Sequence, residues 1–301
     1  MRGRVFVALM MLLVLVLTLP LEDAAPGGNE SDAATGGNES EPEPDLLPLD
    51  ITEAQGGNWT IPPKVAYGRM ISRQEWTNSY NFVVKLLIAK QRGGRKRMYG
   101  CTGVVWRDKV LTAAHCVNGS HSVQVTTADN VSGVSSVQLH PKYKGCCKYD
   151  FALLTLTKPM VGQPRMELKS SPNHVGLRLM IAGMGATARG DDNPTWPPRP
   201  VVTKYFTVVR CPSNIRMIRP RINTCIASGL SSRQSSCGAD SGGPWLRWRH
   251  AGGESIAVVA GINSFGYDGW CGNVNKKTAM GPTSVARQWI EQVAPGHFSW
   301  S

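Results

Sequence analysis

The chain has 301 residues, room for one large domain or two small ones plus a tail; its 32 glycines, 20 prolines and few long amphipathic helical runs argue for a β-rich fold and against one built of long helices. The formal charge of +12 divides unevenly: residues 1–64 carry three basic and ten acidic side chains (net −7), residues 65–301 thirty basic and eleven acidic (net +19). Beyond the N-terminus no apolar run is long enough to span a bilayer as a helix, which excludes a chain of several spanning helices.

Residues 1–25 read as a secretory signal. Arg2 and Arg4 precede Val5–Leu19, an apolar run of 15 residues ended by Pro20, shorter than the roughly 20 that a spanning helix needs. Cleavage is expected between Pro20 and Ala25, with an uncleaved anchor as the alternative. Residues 26–64 are acidic and of low complexity. Gly-Gly-Asn occurs at 27–29, 36–38 and 56–58, and Glu41-Pro42-Glu43-Pro44 lies between, a composition too poor in apolar surface to offset its chain entropy. Disorder is expected there, in a spacer or a propeptide.

From Val65 onward short β-prone runs follow one another. They are Asn81–Ala89, Thr102–Trp106, Val123–Thr127, Phe151–Leu156, Leu177–Ala182, Val201–Val209 and Ser255–Ile262, separated by turn residues. Ser284–Val293 predicts one amphipathic helix, with Val285, Trp289 and Val293 on one face. Secretion would place the eight cysteines where disulfides form and make the sequons at Asn29, Asn38, Asn58, Asn118 and Asn130 glycosylation candidates.

Three motifs carry chemistry. The first is Leu111-Thr112-Ala113-Ala114-His115-Cys116, with Cys101-Thr102-Gly103-Val104 upstream. The second is Tyr149-Asp150 followed by the apolar run Phe151–Leu156, with His140-Pro141-Lys142-Tyr143 before it. The third is Cys237-Gly238-Ala239-Asp240-Ser241-Gly242-Gly243-Pro244, whose glycines allow a tight turn around a serine. A base, a carboxylate to orient it and a nucleophilic hydroxyl are what acyl transfer by a serine requires.

In these motifs and their order, residues 65–294 resemble the trypsin/chymotrypsin-like serine protease family. The resemblance implies an all-β fold of two six-stranded antiparallel β-barrels with a C-terminal helix, and one protease domain over 65–301. It implies His115, Asp150 and Ser241 as the catalytic triad, with the N–H groups of Ala239 and Ser241 as an oxyanion hole. Matching motif to motif implies disulfides Cys101–Cys116, Cys211–Cys225 and Cys237–Cys271. Cys146 and Cys147 have no place in that pattern. Neighbouring Cα atoms lie about 3.8 Å apart, under the usual disulfide range, so the pair is read as structural, strained or reduced. An intermolecular bridge or redox control is the alternative.

The resemblance also implies a zymogen. Lys64-Val65-Ala66-Tyr67-Gly68 is similar to the family's activation site, so cleavage after Lys64 by a trypsin-like protease is expected to free the Val65 amine to pair with Asp240. Ser235 falls at the base of the primary pocket, with Ser264, Phe265 and Gly266 as one wall and Thr278–Gly281 as the other. A base without a carboxylate points to an apolar P1 residue, and Ala279 or Met280 facing inward would make the pocket small and elastase-like.

Ala239 departs from the family's glycine, which keeps a catalytically weak or inactive binding homologue as the alternative. The segment between His115 and Asp150 holds one acidic residue, Asp129, too few for calcium, and no metal or cofactor is expected. The basic clusters Lys90, Arg92, Arg95, Lys96, Arg97 and Arg216, Arg219, Arg221 suit a sulfated glycan or other polyanion; secretion argues against nucleic acid. A monomer acting on protein or peptide substrates is expected. Arg189-Gly190-Asp191 spells an integrin-type tripeptide too short to carry weight.

Overall fold

The computed structural model describes residues 66–93, 95–145, 147–185, 200–203, 205–229, 231–269 and 271–301. The signal, the acidic segment, Val65, the Arg92 side chain, Cys146, Arg189-Gly190-Asp191 and the sequons at Asn29, Asn38 and Asn58 lie outside the described residues. Among those described, no helix is long and apolar enough to cross a membrane.

Arg69–Met70 forms the short strand β1, and one helical turn (α1, Arg73–Glu75) runs on as a wider π-turn to Tyr80. Ser72 caps the turn by accepting the Glu75 N–H at 3.0 Å. Six strands follow: β2 (Val83–Arg92), β3 (Arg95–Trp106), β4 (Lys109–Thr112), β5 (Ser120–Thr126), β6 (Val131–Leu139) and β7 (Ala152–Leu156). They close into an antiparallel barrel in the order β2-β3-β4-β7-β6-β5. Its interior is tightly filled. A Cβ on Gly103 would come within 2.8 Å of Val110 Cγ1, so the smallest residue is required where β3 faces β4.

The second half comprises β8 (Met166–Leu168), β9 (Arg178–Gly183), β10 (Val201–Val202), β11 (Phe206–Val209), β12 (Thr224–Ala227), β13 (Pro244–Ala251), β14 (Glu254–Asp268) and β15 (Lys277–Pro282). Strands β9, β11, β12, β15, β14 and β13 are neighbours in that order, and pairing of β13 with β9 closes a second six-stranded barrel. Strands β10 and β1 extend from β9, and β8 joins β14 in parallel. Leu179, Ile181, Phe206, Val208, Trp245 and Met280 fill this core, with Phe206 edge-on to Trp245 at 5.2 Å.

The C-terminal helix α2 (the single turn at Ala114–Val117 being a capping element of β4) spans Thr283–Val293. Its buried stripe is Ala286, Trp289 and Ile290, rotated from the expected one; Val285 and Val293 are only half-buried. Phe151 is wholly buried, and a Cβ on Gly281 would lie 2.6 Å from its ring, so β15 is cut away to admit it. Burying such a ring contributes about 1.5–3 kcal/mol and fixes the residue next to Asp150.

All three disulfides implied by the motifs are present: Cys101–Cys116, Cys211–Cys225 and Cys237–Cys271. Cys147 is fully buried and also disulfide-bonded. Asn118 is exposed and Asn130 half-exposed.

Candidate active site

Strand β4 ends at Thr112. Ala113 stays extended, and the turn Ala114–Val117 then presents His115 while the Cys101–Cys116 bond fastens that turn to β3. Asp150 precedes β7, after Tyr149 in the left-handed region (φ 51°) and stacked on His140 at 4.9 Å. Its Oδ1 accepts the His115 N–H at 2.9 Å, and its Oδ2 meets His115 Nδ1 at 2.7 Å. The Asp150 side chain is 2% exposed and the imidazole 19%. Burial alone would raise the Asp150 pKa. The facing imidazole and the hydrogen bonds from His115 and Ser264 outweigh it and hold the carboxyl below its ordinary value.

Ser264 on β14 joins both ends of this array. Its hydroxyl donates to Asp150 Oδ2 at 2.5 Å, and its carbonyl accepts from Ser241 Oγ at 3.4 Å. The serine hydroxyl is thus turned towards Ser264, while His115 Nε2 faces the Cys116 sulfur at 3.8 Å. The sulfurs of Cys101 and Cys116 cluster with this imidazole, but their disulfide leaves no thiolate to ligate a metal.

The loop bearing Ser241 is tied to both barrels. Thr102 on β3 donates its N–H to Ser241 O at 2.9 Å and its hydroxyl to Ala239 O at 2.9 Å. From the other side Gly242 N–H reaches Asn263 O, and Asn263 N–H reaches Gly243 O, each at 2.8 Å. Gly242 has φ 82°, and a Cβ there would overlap Thr112 Oγ1 and the Thr102 carbonyl, so no other residue fits. Within the loop Asp240 N–H and Gly243 N–H close turns onto Cys237 O and Asp240 O. Among the described residues, the N–H groups of Ala239 and Ser241 donate to no protein acceptor. Ala239 itself sits at φ 63°, a left-handed conformation that a Cβ disfavours.

Asp240 is wholly buried. Its oxygens accept from Gly185 N–H and Cys237 N–H, each at 2.8 Å, and Gly183 and Gly185 leave the space it needs. Lys85, also buried, donates to Met184 O at 2.9 Å on the same stretch of chain. Burial pushes Asp240 up to about 7 and Lys85 down to about 8, and each tempers the other's shift. Ala66 is buried and paired with Ser235, its carbonyl accepting the Ser235 N–H at 3.4 Å, so the residue after Val65 lies beside the strand leading to Asp240.

A pocket of about 350 Å³ opens beside Ser241. Ser264, Phe265 and Gly266 line it, together with Ser236, Gly238 and Lys276. Ser235 does not line it. It is buried, and its hydroxyl accepts the Gly272 N–H at 2.9 Å. The far wall also differs from expectation. Ala279 and Met280 are fully buried, Met280 within the second core, and the β14–β15 pairing carries two bulges beside them. Thr278 backs Ser236 through a 2.9 Å hydroxyl contact, and Lys276 takes the wall.

The apolar preference read from Ser235 takes no account of that cation. Lys276 immediately precedes β15 and Lys277 begins it, so the lining residue is the one just outside the strand. Thr102 was the other omission. Its role is visible only once β3 lies against the serine loop.

A model of the trypsin family matches residues 72–290. Similar curated proteins include glucanase inhibitor protein 2 of Phytophthora sojae, 28% identical over 64% of this chain and 64% of that one. A trypsin-like protease of Streptomyces glaucescens is 29% identical over 56% of this chain and 65% of its own. Human chymotrypsin-like elastase family member 1 is 25% identical over 76% and 92%. The match thus spans just under two thirds of the length of the first two relatives.

Proposed function

The chain belongs to the trypsin family, and we propose that it is a secreted serine endopeptidase working through an acyl-enzyme. The supporting observation is the array in which Asp150 bonds His115 Nδ1 while Ser264 reaches from Asp150 to Ser241. With the Nδ1 proton held by Asp150, Nε2 is the basic nitrogen. Ser241 rotates from the Ser264 carbonyl towards it, loses its proton to Nε2 and attacks the peptide carbonyl. Asp150 steadies the imidazolium, and the undonated N–H groups of Ala239 and Ser241 receive the oxyanion. The imidazolium then protonates the departing amine, and water repeats the sequence on the ester.

Cleavage after Lys64 by a trypsin-like protease starts this activity. The reading draws on the placement of Ala66 against Ser235 and on the burial of Asp240, a carboxyl in need of a cation that the Val65 amine supplies. The exposed Arg95, Lys96 and Arg97 at the β2–β3 turn offer an edge for a sulfated glycan or other polyanion.

A fluorophosphonate tests the central claim, since it modifies only a serine activated by its base. The full chain cut at Lys64–Val65 should be labelled, and a Ser241→Ala variant should not. A folded, cut chain that stays unlabelled refutes proteolysis. That result would favour a second reading, a non-catalytic binding protein, which draws on the hydroxyl turned to Ser264 and on the similarity to a protein named as a glucanase inhibitor.

A further inference from the structure

We propose that the primary pocket takes an acidic side chain, that of Glu or Asp, and that Lys276 is the residue that selects it. The inference deepens the proteolytic reading of the cleft and rests on it. Lys276 lies along the pocket wall. A Cβ on Gly266 would come 2.7 Å from its Cε and 3.0 Å from its Nζ, so the side chain crosses directly under the wall that pairs with a substrate backbone. Its ammonium donates to the Ser236 carbonyl at 3.3 Å, which spends one of three protons.

No carboxylate side chain lines the pocket among the described residues. Asp240 is the acid that acts on Lys276 through space, but it is enclosed behind the serine loop and its two oxygens already hold backbone N–H groups. The cation is therefore part-desolvated and, among the described residues, has no contacting counter-charge at the place where the substrate side chain arrives.

The candidates for P1 separate on that ground. A Lys or Arg side chain would bring like charge into the pocket. An aromatic or aliphatic one would strip water from the ammonium and return nothing. A carboxylate completes a charge-assisted pair. Phe265 apart, the surface around the ammonium is made of small residues such as Ser236, Gly238 and Gly266, which leaves room for a Glu side chain.

The test reads binding separately from turnover. Acetylated tetrapeptides ending in free Glu, Phe or Lys occupy the pocket as products do, and calorimetry on the full chain cut at Lys64–Val65 measures their affinity. The Glu-ended peptide should bind at least about 10-fold tighter than the other two. Lys276→Arg should keep that ranking, and Lys276→Met should abolish or invert it. A Phe- or Lys-ended peptide that binds as well as the Glu-ended one, absence of binding by all three, or a ranking untouched in Lys276→Met overturns the proposal. Should Lys276→Met fail to fold, the wild-type ranking and Lys276→Arg decide. Fluorophosphonate labelling with preferred cleavage after apolar or basic residues sinks the pocket assignment and leaves proteolysis standing. Absence of labelling with retained Glu binding does the reverse.

Discussion

Replacing Ala239 with glycine removes a Cβ from a residue held at φ 63°, in the turn that carries the proposed oxyanion-binding N–H groups. The left-handed conformation costs a residue with a Cβ about 1–2 kcal/mol. Glycine escapes that cost but gives the unfolded chain more freedom, which takes back about 0.4–1 kcal/mol. The net expectation for Ala239→Gly is a stabilisation of about 0.5–1 kcal/mol, or a rise of up to about 4 °C in Tm for a domain of this size. Guanidinium unfolding with the disulfides intact measures the first quantity, and a thermal melt the second. Ala239→Val is the opposing variant, since a β-branched residue fits this region still less well, and it should lose both stability and phosphonate labelling. The loop is clamped on both sides by Thr102 and by the Asp240–Cys237 turn, so it has little room to relax around a larger side chain. An Ala239→Gly protein that is less stable than wild type would show that the loop does not carry the strain assigned to it.

Two further outcomes follow from the site. Ser264→Ala removes the 2.5 Å donor to Asp150, and losing a hydrogen bond to a charged acceptor costs about 1.5–3 kcal/mol; phosphonate labelling should slow about 10- to 100-fold, with the acid limb of its pH profile moved upward as Asp150 loses a contact that favours its charged form. In the chain still joined at Lys64, Asp240 should titrate at about 7 by carbon NMR, against an ordinary value of 3.8. Because that pKa is raised, its contribution to stability is full below the ordinary value and fades as pH rises through about 7. Lys85→Met should push the titration higher still, and cleavage at Lys64 should pull it down. An Asp240 carboxyl that titrates in the normal range in the uncut chain refutes this account.

The placement of the three motifs was legible because each is local. Leu111–Cys116, Asp150 and Cys237–Pro244 each fold as one short piece, and their disulfides follow the same pieces. Strands were legible only where apolar residues are dense. Strand β6 went unseen because Val-Ser-Gly-Val-Ser-Ser-Val-Gln-Leu buries little of itself and owes its form to β5 and β7. The Val201–Val209 run splits into β10 and β11 because its two ends pair with different segments of β9. The pocket was least legible of all. Its wall on β14 carries bulges between Asn263 and Phe265 and between Gly266 and Asp268, which no spacing in the sequence announces, and Met280 is buried in the second core while Lys276 lines the pocket.

The loop around Ser241 is sewn to β3 through Thr102 and to β14 through Asn263. Prising the barrels apart would therefore break the hydrogen bonds that hold the Ser241 loop, so the two barrels and that loop keep their places together. On the proteolytic reading proposed above, a peptide would reach Ser241 across the seam with both barrels in place, an approach better suited to a loose stretch of chain than to a tightly folded domain.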